Sequence, residues 1–273
     1  MTETQAHPLP GILRSIVATK RREVEALEPR RRELDRAAAQ APPPRDFRSA
    51  LLRPDVAVIA EVKRRSPGAG EIRPGLDPAE LARSYAAAGA SALSVLTDRE
   101  YFGGAPEDLG AARAAVPLPV LRKDFTVDPL QVLEARALGA DAVLLIVRIL
   151  EDGPLRALRE LARSLGMTAL VEVHTRHEMA RALDSGAEVV GINNRDLSTF
   201  HTDLSVTESF LGILPGDRLV ISESGIRDGS DVARLGRCGV HAVLVGESLL
   251  RAPEPGAAVR TLTGHPRRPR SAR

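Results

Sequence analysis

The chain of 273 residues holds one cysteine, Cys238, and no tryptophan. A single cysteine excludes an internal disulfide framework and any multi-cysteine metal site. No apolar stretch approaches the roughly 20 residues of a membrane span. The first ten residues lack a basic region followed by an apolar core, so no signal peptide is expected and the expected location is the cytoplasm. No G-x-G-x-x-G follows the first apolar run, and no G-x-S-x-G nucleophile motif is present. An excess of basic charge is also missing from the body of the chain. The formal net charge is +2, and four arginines with no acid lie in 267–273. Without those seven residues the balance is 34 basic against 36 acidic, so the pI of about 9.0 is no sign of nucleic-acid binding.

What the sequence does have is a set of apolar runs that end in chemistry. Val58-Ile59-Ala60 runs into Glu61-Val62-Lys63, and on a strand the i, i+2 spacing puts Glu61 and Lys63 on one face. Three further runs finish in Arg122-Lys123-Asp124, in Glu172-Val173-His174 and in Ser222-Glu223-Ser224. Any one of these could be a solvated strand end. Four together suggest one site assembled at one end of a parallel sheet.

Between them a second pattern repeats. Helical stretches stop at Gly89, Gly139, Gly186 and Gly239, and a short apolar strand follows each. Glycine suits that place because the residue after a helix often adopts positive φ. The spacings of 50, 47 and 53 residues fit two strand-plus-helix units each. Asp77-Pro78 and Asp128-Pro129 read as helix starts, and Leu155, Leu158, Leu161 and Leu165 have helical spacing. Eight alternating units predict a parallel sheet covered on both faces and closed as a (β/α)8 barrel. An open doubly wound sheet is the competitor, but the turn at 64–70 lacks its glycine signature. The expected organisation is an N-terminal helical extension packed on the barrel over 1–50, a catalytic barrel over 51–262 and a disordered basic tail over 263–273. Within the extension Ile12, Leu13, Ile16 and Val17 have helical spacing, 21–36 reads as a solvated helical stretch and 41–44 as a linker.

Active sites of such barrels lie at the C-terminal strand ends. Read in order, those ends carry Glu61 and Lys63, Thr97 and Asp98, Lys123 and Asp124, Arg148, Glu172 and His174, Asn193 and Arg195, Glu223 and Ser224, then Gly246 and Glu247. Two lysines and two glutamates sharing one mouth would support proton transfer in both directions. The glycines just after strands seven and eight, Gly225 and Gly246, point to a phosphate held by backbone N–H groups. Aromatics are scarce, five Phe and two Tyr, yet Phe102 follows strand two and Phe125 follows strand three, where they could meet a flat ring. His174 and His177 complete no metal set, so no metal is expected. Cys238 precedes strand eight at the end away from the chemistry and is expected to be buried packing.

The sequence resembles the indole-3-glycerol phosphate synthase family over roughly residues 10–252. The resemblance rests on seven motifs in order: Ile59-Ala60-Glu61-Val62-Lys63-Arg64-Arg65-Ser66-Pro67, Leu96-Thr97-Asp98 with Tyr101-Phe102-Gly103-Gly104, Leu121-Arg122-Lys123-Asp124-Phe125, Leu170-Val171-Glu172-Val173, Gly191-Ile192-Asn193-Asn194-Arg195-Asp196-Leu197, Ser222-Glu223-Ser224-Gly225-Ile226 and Val245-Gly246-Glu247-Ser248-Leu249. It implies a TIM barrel that converts 1-(2-carboxyphenylamino)-1-deoxyribulose 5-phosphate to indole-3-glycerol phosphate, releasing CO2 and water, with neither cofactor nor metal. By motif, Lys123 is the expected general acid and Glu172 an acid/base partner. Glu61 would tune the lysines, and Lys63 would pair with phosphate and share acid work. Asn193 and Arg195 would hold the carboxylate until it leaves as CO2. Ser66, Ser224, Gly225, Gly246 and Glu247 would line the phosphate site, with Glu223 among the substrate contacts, and Phe102 and Phe125 would pack on the ring. Some members have a small polar residue where Glu247 stands, so the expected contact there is its backbone N–H alone. The expected partner is the small phosphorylated substrate, with no nucleic acid, no membrane and a monomeric chain.

Two alternatives are weighed. Phosphoribosylanthranilate isomerase is a sister barrel, but its chemistry uses a Cys and an Asp, and the one cysteine here lies elsewhere. A non-catalytic phosphate-binding barrel would not need the Glu61, Lys63, Lys123 and Glu172 set.

Overall fold

The eight apolar runs close into one parallel barrel in the computed structural model, which describes residues 9, 11–196 and 199–270. The strands are β1 (Ala57–Val62), β2 (Ala92–Leu96), β3 (Val120–Lys123), β4 (Ala142–Ile146), β5 (Thr168–Val173), β6 (Val189–Asn193), β7 (Leu219–Glu223) and β8 (Ala242–Val245). Each pairs in parallel with the next, and β8 closes on β1 with Ala60 beside Val245. The expected (β/α)8 barrel is therefore the fold, and the open sheet is excluded.

Strand alternation separates two cores. Ile59, Leu121, Leu144, Leu170, Ile221 and Leu244 fill the barrel interior. Val58, Ala60, Val62, Leu93 and Val95 face the surrounding helices. A strand buried on both faces reads as a continuous apolar run, which is why the runs were visible in sequence. The expected helix starts are present: the Asp77 carboxylate accepts the N–H of Ala79 at 2.8 Å, and that of Asp128 accepts the N–H of Leu130 at 2.8 Å.

The N-terminal segment runs from the mouth of the barrel to its floor. Helix α1 (Gly11–Leu27) lies over the C-terminal strand ends, and α2 (Arg31–Gln40) packs against the helix that follows β3. The chain then descends through 41–46, where the Arg45 guanidinium donates to the Val116 and Leu118 carbonyls. Helix α3 (Phe47–Ala50) follows, and Phe47 and Leu51 join the interior cluster as its floor. Phe47 is fully buried. Phe47→Ala is expected to destabilise the fold by about 3–5 kcal/mol, read by urea denaturation, without altering kcat of the folded protein.

Two expectations are corrected. Residues 263–270 are not a disordered tail. Val56 N–H donates to the His265 carbonyl at 2.8 Å, Arg267 N–H to the Pro54 carbonyl at 3.0 Å and Arg268 N–H to the Gly236 carbonyl at 2.9 Å. Composition suggested disorder, but backbone pairing ahead of β1 and the Arg270 guanidinium on the Leu214 carbonyl at 2.7 Å hold the segment down. Residues 271–273 and 1–8 of the terminal expectations lie outside the described residues. Cys238 is exposed rather than buried, because it caps the outer end of the helix Gly229–Arg237.

Candidate active site

On four strands the interior face turns polar in one layer, while Leu96 of β2 and Ile146 of β4 keep that layer apolar between them. Ala57 and Ile59 lead to Glu61, Leu121 to Lys123, Leu170 to Glu172, and Leu219 and Ile221 to Glu223, two residues further along the same face each time. Register brings Asn193 beside Glu223 and Glu172 beside Gly191. Two glycines make room for these carboxylates. A Cβ on Gly191 would strike the Glu223 Oε1, and one on Gly246 would strike the Glu61 Oε1.

Lys123 is the hub. Its ammonium donates to Glu172 Oε2 at 2.9 Å and to Glu223 Oε2 at 2.7 Å. Across the mouth Lys63 donates to Glu61 Oε1. Burial alone would lower the Lys123 ammonium, but the charges of Glu172, Glu223 and Glu61 outweigh it and hold it above the ordinary lysine value. The two glutamates share that one cation and are driven apart. Burial raises Glu172, but Lys123, His174 and a hydrogen bond from Asn193 overcome this and bring it down to about 2. Burial likewise raises Glu223, Lys123 opposes it, and the Glu172 charge adds to the rise, leaving it at about 7. Two carboxyls with separated pKa values beside one ammonium can supply an acid and a base at the same pH.

Glu172 has support behind it. Its Oε1 lies 3.4 Å from His174 Nε2, and His174 Nδ1 lies 3.4 Å from Glu178 Oε2. Glu178 is fixed in turn by Arg148 at 2.7 Å and by the His174 N–H at 2.6 Å. Asn193 is oriented through its Oδ1, which accepts the Arg195 N–H at 3.0 Å.

The opposite side of the mouth is built from backbone turns. Ser224 and Gly225 follow β7 with φ of 66° and 82°, a left-handed pair that serine rarely enters. Asn194 secures this turn: its side-chain amide donates to the Ser222 hydroxyl at 2.9 Å and to the Glu223 and Ser224 carbonyls at 3.0 Å. Its oxygen accepts from the Thr207 hydroxyl at 2.7 Å. Gly246 leads into the short helix Glu247–Arg251, and the Glu247 carboxylate pairs with Arg251 at 3.0 Å and Arg195 at 3.7 Å. Phe102 and Phe125 stand side by side, ring centroids 5.9 Å apart and tilted by 38°.

All fourteen residues expected at the site line one cavity of about 460 Å³. They are Glu61, Lys63, Ser66, Phe102, Lys123, Phe125, Glu172, Asn193, Arg195, Glu223, Ser224, Gly225, Gly246 and Glu247. Of the other strand-end residues Asp124 also lines the cavity, while Thr97, Asp98, Arg148 and His174 stand behind that lining. Leu197 of the sixth motif lies outside the described residues. Ile12, Leu13 and Ile16, expected on a helix packed against the barrel, supply an apolar wall of the cavity from α1, whereas sequence reading missed the Asn194 clamp. It also missed Lys20, although a lysine at i+7 from Leu13 stands on the apolar stripe of α1 and so carried a signal.

Comparison with known proteins places the chain in a family. The family model described as indole-3-glycerol phosphate synthase matches residues 13–262. Indole-3-glycerol phosphate synthase 2 of Streptomyces coelicolor is 50% identical over 260 residues, covering 93% of this chain and 99% of that protein. The synthase of Acidithiobacillus ferrooxidans is 49% identical over 257 residues, covering 92% and 98%. Among solved structures, 3-hexulose-6-phosphate synthase from Salmonella typhimurium shares the fold alone. Its TM-score is 0.62 at 12% identity, with 76% of this chain and 96% of that one covered. The chain thus belongs to the indole-3-glycerol phosphate synthase family, the ring-closing carboxy-lyases of tryptophan biosynthesis.

Proposed function

We propose that Lys123 is the general acid of the ring closure and Glu172 its base. The observation that carries this reading is the Lys123 ammonium held between Glu172 and Glu223 at the cavity wall. As the aromatic carbon attacks the ketone, the carbonyl oxygen takes a proton from Lys123, and the positive charge stabilises the developing oxyanion. Loss of CO2 restores the ring, and the new hydroxyl then takes a proton from Lys63 and departs as water while the methylene carbon beside the nitrogen releases a proton, completing the indole. Glu172 accepts the proton released in that last step.

The remaining roles follow the two ends of the cavity. Phe102 and Phe125, with the apolar wall of α1, receive the ring. Asn193 and Arg195 face the carboxylate until it leaves. Ser66, Ser224, Gly225, Gly246 and Glu247 take the phosphate, and turns of this kind offer backbone N–H groups to an anion. The Glu247 carboxylate is occupied by Arg251 and Arg195, which supports a contact through its backbone N–H alone. Lys63 is paired with Glu61, so its path to the phosphate is to exchange that partner when substrate enters. Glu61 thereby sets where Lys63 rests. We read the protein as a cytoplasmic monomer. Among the described residues the exposed large apolar side chains are Leu52, Phe200 and Ile213, and so small a number supports the monomer.

The test is turnover of 1-(2-carboxyphenylamino)-1-deoxyribulose 5-phosphate by purified protein, followed by the fluorescence of the indole product, with and without a metal chelator. Equal turnover in both is expected. No turnover with intact phosphate-ester binding would overturn the reading, and loss of turnover in chelator would overturn its cofactor-free form.

A further inference from the structure

The N-terminal helix sends one ammonium into the barrel mouth. Lys20 is 1% exposed, and its Nζ lies 2.8 Å from Asp98 Oδ2, 2.9 Å from Asp124 Oδ1 and 2.9 Å from Glu23 Oε2. Asp98 is fully buried and stands just past β2, while Asp124 is buried just past β3. A lysine buried so deeply on a helix outside the barrel sequence needs a reason beyond packing.

The reason lies in what the two aspartates hold. The second oxygen of Asp98, Oδ1, accepts the N–H groups of Tyr101 at 2.7 Å and Phe102 at 3.1 Å. It therefore fixes the turn that aims the Phe102 ring. Asp124 Oδ1, the atom Lys20 touches, accepts the N–H of Phe125 at 2.8 Å. Its other oxygen takes the Thr97 hydroxyl at 2.5 Å and Arg122 at 3.3 Å. Burial raises the Asp124 carboxyl, but Arg122 and Lys20 outweigh that and keep it below its ordinary value. A single cation thus organises the backbone under both rings, one residue from Lys123. Helix α1 adds a second link to the same loop through Thr19, whose hydroxyl lies 3.2 Å from that of Tyr101.

We propose that Lys20 is a positioning residue of the ring-binding end: from the N-terminal helix it fixes, through Asp98 and Asp124, the two loops that carry Phe102 and Phe125. The proposal rests on the reading of those two rings as the wall that receives the substrate's aromatic ring. Lys20 touches no substrate. It ties three elements together so that α1, the Phe102 loop and the Phe125 loop form one surface. Lys123 keeps its own partners, Glu172 and Glu223, so removal of Lys20 acts on binding of the ring more than on proton transfer.

The experiment compares wild type with Lys20→Met and with Lys20→Met/Asp98→Asn, at a temperature where circular dichroism shows both variants folded. The second change removes one uncompensated buried charge and leaves an oxygen for the Tyr101 and Phe102 N–H groups, which guards against simple misfolding. Inorganic phosphate, as a competitive inhibitor, probes the other end of the cavity. In both variants KM is expected to rise about tenfold, kcat to fall by less than that, and the phosphate inhibition constant to stay within about twofold. An unchanged KM, or a phosphate constant that rises in step with KM, overturns the proposal. Phe125→Leu is measured alongside. If it raises KM while Lys20→Met does not, Lys20 alone loses its role. If Phe125→Leu leaves KM unchanged, the ring-wall reading falls and the proposal with it.

Discussion

Lys123→Met is expected to lower kcat by roughly 10²–10⁴-fold while KM changes by less than about tenfold. Methionine keeps the length and apolar stem of lysine and removes the ammonium. The loss is twofold in kind, because Lys123 is the cation that both Glu172 and Glu223 touch. Without it the proton donor is gone, and two buried carboxyls face each other with no shared cation. At least one then takes up a proton, so the base is weakened along with the acid. The effect therefore does not add to that of removing Glu172. Stability should fall as well, by about 3–5 kcal/mol at neutral pH, since breaking a buried pair leaves uncompensated charge. The sign with pH is fixed. In the variant the folded carboxyl pKa lies above the unfolded value, so the folded state binds more protons, and the deficit shrinks in acid and grows as pH rises. Steady-state kinetics and urea denaturation at acid and alkaline pH check both parts. A rise in KM with unchanged kcat would remove Lys123 from the acid role.

Much of this was legible before any coordinates, for a specific reason. Barrel strands are buried on both faces, so each reads as an unbroken apolar run, and a charge at the end of such a run stands out. Glu61, Lys123, Glu172 and Glu223 were visible in that way. Partners set by long-range packing were not. Nothing local to Asn194 shows that its amide spans to Ser222 and Ser224, or that Ser224 adopts positive φ. Gly246 reads as a phosphate-loop glycine and Gly191 as one residue of a motif, and neither reading shows that both yield space to carboxylates from other strands. The tail misled for the opposite reason. Arginine and proline without apolar residues resemble disorder, but here the backbone pairs at the barrel floor, which composition does not encode.

Glu172→Gln is the second large loss expected, roughly 10²–10⁴-fold in kcat, because glutamine accepts no proton. Wild-type Glu172 is ionised at every working pH: burial works against that, but Lys123, His174 and Asn193 prevail and hold it at about 2. It therefore contributes no limb to the pH profile near neutrality. Glu223 does, since burial and the Glu172 charge, against Lys123, leave it at about 7. As pH rises through that value Glu223 ionises, Lys123 gains a second full counter-charge, and its proton is held more tightly. The kcat is then expected to fall on the alkaline side. Stability moves the same way. The folded value of about 7 exceeds the ordinary 4.5, so the contribution is complete below about 4.5 and is lost as pH rises through 7. Two variants separate the carboxyls. Glu223→Gln should flatten the alkaline limb, because position 223 can no longer ionise. Glu172→Gln should shift the limb towards acid in its residual activity, because the neighbouring charge that raised Glu223 is gone. Profiles of kcat from about pH 5 to 9 for the three proteins decide it. A limb that stays near 7 in Glu223→Gln belongs to another group, and the assignment of that titration to Glu223 would then be wrong.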